Sequence, residues 1–157
     1  MGTQISEIAD LFMTRVNDYR LNTIFTNSGS VVFNQYVEPW LLSSIVEFDV
    51  CNQSLDYTVT SGSAEGEFTE TLTLKNKIIL SQILTLYWLE KSIQETLQMQ
   101  NLIQDKDFKM FSQAQNLDAK RQLYNNKREE ISQILVNYGY ANTLWSDWRN
   151  QDFAGSG

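Results

Sequence analysis

Asp105 and Asp107 come nearest, by type and spacing, to residues that could do chemistry. Two carboxylates one residue apart can begin a site for a hard cation. The run that holds them, with Lys106 between and Phe108 and Lys109 after, lacks the ligand spacing of a calcium loop. The chain contains no histidine. That removes the commonest general base, the commonest metal ligand and the usual pH switch together. A nucleophile would then need a Lys or carboxylate base, and no pair among the 19 acidic residues is set apart by an apolar pocket that would raise one pKa. Cys51 is the single cysteine, which excludes an intramolecular disulfide and zinc sites of the Cys/His kind. No base lies near it in sequence to activate the thiol, so it reads as a buried structural residue. Gly62 and Gly66 lie in a small polar run without the Gly-Lys-Ser/Thr that closes a phosphate loop. These residues point away from an enzyme and imply no cofactor and no metal. They point toward a protein that binds or assembles.

Charge narrows the partners. The 157 residues carry a formal net charge of −7, with Lys and Arg totalling 12. Non-specific nucleic-acid binding needs phosphate-neutralising cations, and docking on anionic lipid needs them too. A composition of 42% hydrophobic and 20% charged residues is that of an ordinary globular chain, and its length suits one domain with a sizeable core. The N-terminus shows no basic segment followed by an apolar one, so no secretion signal is expected. Gly2 with Ser6 fits a myristoylation pattern only loosely, without a basic patch behind it. A reducing compartment is the simplest reading of one cysteine.

The element that must organise the rest is Leu74 to Leu97. From Ile78 to Leu89 its apolar residues cover nearly the whole circumference of a helix. Such a helix has to be covered on several sides. Lys, Asn, Gln and Glu interrupt it too often for a membrane span. The pattern predicts a central core helix over about 74–98, capped by the Thr73 hydroxyl. Residues 3–20 place Ile5, Ile8, Leu11, Phe12, Val16 and Tyr19 on one amphipathic face, with Thr3 as cap. Asn22 to Ser30 reads as a loop through Asn27, Ser28 and Gly29. A second helix is expected from Glu38-Pro39, with Trp40, Leu41, Ile45 and Phe48 on one side. Val31 to Tyr36 is compatible with an extended or a helical turn.

Leu55–Thr60 and Phe68–Leu72 alternate and are rich in β-formers. With Ser61–Glu67 between them they predict one β-hairpin over 55–72. Two strands alone are marginal in water, so the hairpin must lean on the helices or on another subunit. Tyr57, Val59, Phe68 and Leu72 are its candidate subunit-interface residues. A break is expected around Gln100–Gln115, pinned by Phe108 and Phe111. The last long helix is expected over about 116–138. Its packing stripe is Leu117, Tyr124, Ile131 and Tyr138, with Leu123, Ile134 and Leu135 beside it. Asp118, Lys120, Arg121, Lys127, Arg128, Glu129 and Glu130 form the opposite face, which reads as solvated, with the cluster Lys127-Arg128-Glu129-Glu130 as an alternative subunit contact, and Gly139 fits a helix stop. The expected architecture is thus mainly α, a helical bundle with one small hairpin. It divides into a single domain over 1–140 and a tail over 141–157.

That tail is polar, yet holds Leu144, Trp145, Trp148 and Phe153 with Arg149 beside the second tryptophan. Exposed tryptophans invite association, and Trp and Arg are favoured interface anchors. The tail either folds back on its own core or docks on a partner. These five residues are the candidate partner interface.

Taken in order, several segments resemble a known family. They are Pro39-Trp40-Leu41-Leu42 with Ile45, Phe48 and Cys51; Leu55; Phe68 and Leu72-Thr73; and Ile78-Ile79-Leu80 with Trp88-Leu89. They continue through Lys106-Asp107-Phe108-Lys109 and Phe111-Ser112-Gln113 to Leu123-Tyr124 and Tyr138. Their order over roughly residues 36–140 resembles the head-to-tail connector, or adaptor, proteins of tailed bacteriophages. The resemblance implies a helical bundle carrying a small β element and an oligomeric ring, commonly a dodecamer. The ring would dock on the portal protein of a filled capsid, extend the DNA channel and offer a platform to a tail-proximal neck or tail protein. It implies a virion component at the capsid–tail junction, made in the host cytoplasm, with no catalytic residue and no membrane. A dodecamer would carry roughly −84, a field suited to a conduit through which DNA slides without sequence-specific binding. Two other readings stand beside it. One is another neck or tail-completion component. The other is a small acidic regulator of a host protein, although the acids here are scattered among Lys and Arg rather than gathered in a block.

Overall fold

The computed structural model describes residues 2–16, 18–59, 61, 62, 64–102 and 107–150, with the side chains of 99–102, 107–114 and 143–150 outside the description. The described residues are mainly helical. The order is α1 (Ile5–Met13), α2 (Tyr19–Glu47), β1 (Tyr57–Thr58), β2 (Glu67–Phe68), α3 (Leu74–Leu102) and α4 (Asp107–Asn150). The arrangement is a helical bundle with one small antiparallel hairpin, as the periodicities predict.

α3 is the axis. The Thr73 hydroxyl accepts from the Asn76 main-chain N–H at 3.3 Å, the expected cap. Every side chain from Asn76 to Leu89 is buried or half-buried. The cover comes from three helices, since α1, α2 and α4 all pack on α3. Glu90, Gln94 and Gln98 then fall four apart on an exposed strip, where the apolar pattern thins. Phe12 of α1 sits in the joint, with ring centroids 6.3 Å from Trp40 of α2 and 6.5 Å from Trp88 of α3.

α1 is shorter than the 3–20 expected. Gln4 caps it, in a capping box with Glu7, and Thr3 does not. Thr3 is drawn elsewhere. It is fully buried, its hydroxyl accepts from the Leu72 N–H at 2.8 Å, and its carbonyl accepts from the Phe68 N–H at 2.8 Å. At the far end the Thr14 hydroxyl donates to the Leu11 carbonyl at 2.7 Å, as the helix closes. Tyr19 opens α2 and is exposed, so it does not belong to the buried face of α1.

The expected loop over Asn22–Ser30 is helical instead. Asp18 caps α2, its carboxylate accepting from the Arg20 N–H at 2.8 Å. The turn shrinks to one residue, Gly29, at φ 79° and ψ 165°. Only glycine takes that conformation cheaply. Phe25 and Phe33 stack edge to face across the kink, 5.3 Å apart. Val31 to Tyr36 is helical, and Pro39 lies inside α2 rather than at its start. Pro39 cannot donate to the Gln35 carbonyl, but both residues are exposed, so solvent can satisfy that acceptor.

The hairpin ladder is short, pairing Tyr57 with Phe68 and Thr58 with Glu67. It leans on its own chain. Gln4 bridges Glu67 on the other side of β2, and Ile5 N–H donates to the Gly66 carbonyl at 3.0 Å. The N-terminal segment thus acts as a partial third strand, which a two-stranded ribbon needs.

α4 overruns its expected bounds at both ends. Of the expected break over Gln100–Gln115, Gln100–Leu102 lie in α3 and Asp107–Gln115 in α4, and the residues between lie outside the described residues. Phe108 and Phe111 fall within α4, their side chains outside the described residues. Gly139 does not stop the helix. One glycine costs a helix about 1 kcal/mol, and no proline follows it. Leu117, Ile131 and Tyr138 are buried as the stripe predicts, and Tyr124, Ile134 and Leu135 pack beside them. Leu123 is largely exposed instead. Lys120, expected on the solvated face, turns inward to donate to Ser92 Oγ at 3.0 Å and Thr96 Oγ1 at 2.9 Å.

Candidate functional site

The residues with chemical potential do not converge. Asp105 lies outside the described residues, and Asp107 opens α4 with its side chain outside them. Cys51 is half-buried, its sulfur 4.0 Å from the Tyr138 hydroxyl. Among the described residues no group of three or more His, Cys, Asp or Glu could hold a metal ion. No helix of the described residues is long and apolar enough to cross a membrane. Among the described residues two side chains are shifted from their ordinary values. The Tyr87 phenol is pushed up to about 12 by burial and by its hydrogen bond to Glu47, 2.9 Å away. Glu7 is held below the usual carboxyl value chiefly by its hydrogen bond from Lys77, at 2.8 Å, against a smaller opposing effect of burial. Both partners tie one helix to another, and neither lies in a cavity.

The four hairpin candidates are divided by the fold. Phe68 and Leu72 are buried in the protomer's own core and present no surface. Tyr57 is half-buried, its ring 5.0 Å from that of Phe68 and its hydroxyl donating to Glu38 Oε1 at 2.6 Å. Val59 alone of the four is exposed. The reason is the N-terminal segment: Thr3 and Gln4 pair along the edge of β2, and Phe68 and Leu72 join one core cluster with Ile5 and Ile8 of α1. No sequence pattern near the hairpin announces that cover.

Of the tail candidates, Leu144, Trp145, Trp148 and Arg149 fall on the backbone of α4, their side chains outside the described residues; Phe153 lies outside them altogether. The geometry before them is informative. Tyr138 of α4 meets Asn76, two residues after the start of α3. From Gly139 to Asn150 α4 continues past that start, about 18 Å of further helix. Tyr140, Ala141 and Asn142 on this overrun are exposed.

Two further surfaces have shape and polarity. A cleft of about 260 Å³ opens between α1, α3 and α4, lined by Arg15, Gln82, Thr85, Lys127, Glu130 and Ile131. Lys127 is paired with Glu130 at 2.7 Å, whereas Arg15 makes no ion pair among the described residues. At the end of α2, Val46 is 78% exposed, beside exposed Asp49 and Val50. The buried stripe of α2, through Leu41, Ser44 and Phe48, turns Val46 outward. A valine off the apolar face is a sequence signal that could have been read. Arg15 carries no such signal. A smaller groove beside Tyr36 and Trp40 is filled by its own Lys91, whose ammonium lies 4.6 Å and 5.2 Å from the two ring centroids.

No known protein family, curated protein or solved structure matches this chain.

Proposed function

We propose that this protein is a head-to-tail connector of a tailed bacteriophage. It forms an oligomeric ring that docks on the portal, extends the DNA channel and gives the tail its platform. No catalytic step is assigned to it. The observation that carries the reading is the overrun of α4, a 44-residue helix that runs three turns on past Tyr138, where its stripe meets the start of α3, with Tyr140, Ala141 and Asn142 exposed. Isolated helical segments of that length are marginal in water, so exposed turns beyond a core favour a partner surface. Such a surface would cover these turns, and the sequence places Trp145 and Trp148 there. The helical bundle with a small β element is also the architecture the resemblance implies.

Mass photometry of the full chain, alone and mixed with portal rings from the same source, tests this. The expected result is a mass step of many copies added to the portal. A species that ignores the portal and stays small would overturn the reading and favour a regulator of a host protein. Rings that form without portal affinity would indicate another neck or tail component. Removing residues 141–157 should weaken portal docking while the bundle up to Tyr138 keeps its cooperative melt.

A further inference from the structure

We propose that the Arg15 cleft receives the end of α2 from a second copy of this chain, with Asp49 set against Arg15 and Val46 against Leu123. The inference rests on the ring reading above and names the contact between neighbouring subunits.

The cleft is built to take a carboxylate next to an apolar group. Ile131 forms its floor, and Gln82 and Thr85 of α3 line its wall. Lys127 is already neutralised by Glu130. Arg15 is the cation left over, held in place by the turn that follows α1, where its N–H donates to the Phe12 carbonyl at 2.9 Å. Guanidinium suits paired recognition of a carboxylate. Leu123, one helical turn before Lys127 on α4, is an exposed apolar side chain next along the helix from this lining.

The end of α2 has the complementary character. Asp49 is exposed and makes no hydrogen bond or ion pair with the described residues. Val46 and Val50 flank it. The apolar surface continues onto α4, because Gly139 lies against Val50, and Val136 and Tyr140 beside it are exposed. The patch therefore joins a carboxylate with no partner among the described residues to exposed valines, and the cleft holds a guanidinium with no ion pair among them, with Leu123 exposed a turn along α4. Charge complementarity of this kind fixes register and partner choice. The chain is acidic overall, so a cation left unpaired in a cleft stands out against the field around it. The two features also belong to different faces: the cleft opens between α1 and α4, and the patch sits at the end of α2 and the adjoining part of α4. A ring of identical subunits requires such a heterologous contact.

Sedimentation velocity on the full chain, over a concentration series and with portal rings present, reads the contact. Arg15→Glu and Asp49→Arg should each weaken association by roughly tenfold or more. The double variant, which restores opposite charges across the contact, should recover it. Val46→Ser should weaken it with no change of charge. All three positions substituted carry exposed side chains, and unchanged far-UV circular dichroism checks that each variant folds. Assembly of the single variants as wild type, or failure of the double variant to recover, would overturn the contact while leaving the ring reading in place. A wild-type chain that never associates, even on the portal, would overturn both.

Discussion

Tyr138 of α4 donates its hydroxyl to Asn76 Oδ1 of α3 at 2.9 Å, inside the bundle. The same oxygen accepts from the Asn52 main-chain N–H at 3.3 Å and lies within hydrogen-bond reach of the Asn52 side-chain oxygen. Asn76 in turn donates to Gln53 Oε1 at 2.8 Å, and Gln53 Oε1 accepts from the Thr73 N–H at 2.7 Å. One phenol therefore ties the long helix, the loop after α2 and the start of α3. The ring itself packs edge to face on Phe48, with centroids 5.1 Å apart. Tyr138→Phe keeps that packing and removes only the hydroxyl. It leaves buried polar groups without their partner and should cost about 1–3 kcal/mol. Thermal melts followed by circular dichroism should show Tm lower by roughly 2–4 °C per kcal/mol. An unchanged melt would mean that solvent already serves these groups.

Thr3 plays a corresponding part on the hairpin side of the same end of the fold, next to the start of α3. Its hydroxyl accepts from the Leu72 N–H, and its main chain bonds to both Phe68 and Glu70. Thr3→Val keeps the shape and removes the acceptor. The buried Leu72 N–H then has no partner, at a cost of about 1–3 kcal/mol. Hydrogen exchange should show the Leu72 amide losing protection before the amides of α3. Equal protection in wild type and variant would contradict the bond's role.

What could be read from the sequence followed the physics of each signal. The all-round apolar run of Ile78–Leu89 had one solution, a covered helix, and α3 is that helix. The seven-residue stripe of α4 likewise fixed its buried face. Punctuation residues misled. Asn27, Ser28 and Gly29 spell a loop, but a single left-handed glycine was enough to turn the chain, because Phe33, Val37 and Leu41 hold the next helical segment to the core. Pro39 is tolerated inside α2 at an exposed position where solvent serves the freed carbonyl, and Gly139 inside α4 where it lies against Val50. The cover on the hairpin was illegible, since it comes from Thr3 and Gln4, far away in sequence. The Arg15 cleft was illegible too, because it exists only where three helices meet.

Two glycines should resist substitution for different reasons. A Cβ at Gly29 would meet nothing within 4 Å, but φ of +79° strains any L side chain. Gly29→Ala should therefore destabilise by about 1–3 kcal/mol through the backbone alone. At Gly66 the backbone is unremarkable, and a Cβ would fall 1.8 Å from the Tyr57 hydroxyl and 2.8 Å from Glu38 Oε1. Gly66→Ala must push the Tyr57 ring away and break its bond to Glu38, so it should cost about 1–3 kcal/mol by overpacking. Combining Gly66→Ala with Tyr57→Leu should recover much of that loss, while Gly29→Ala should gain nothing from the same partner change. Urea midpoints of the four variants distinguish the two mechanisms.

Tyr87 and Glu7 predict how stability changes at the two ends of the pH scale. Burial, followed by the Glu47 hydrogen bond and the nearby carboxylates, pushes the Tyr87 phenol up to about 12. The folded chain then holds this proton more tightly than the unfolded chain does. Its contribution is full below the ordinary tyrosine value and is lost as pH rises from about 10 to about 12. Glu7 runs the other way. The Lys77 hydrogen bond lowers its carboxyl, so its contribution is present above the ordinary carboxyl value and fades as pH falls through the lowered one. Half-exposure of Glu7 keeps that acid effect small. Phenolate absorbance near 295 nm separates the alkaline case from lysine titration. Tyr87→Phe should remove one phenol titrating at about 12 and flatten the alkaline fall in stability. If the variant instead loses a phenol that titrates near the ordinary value, the Glu47 bond does not hold Tyr87 in solution.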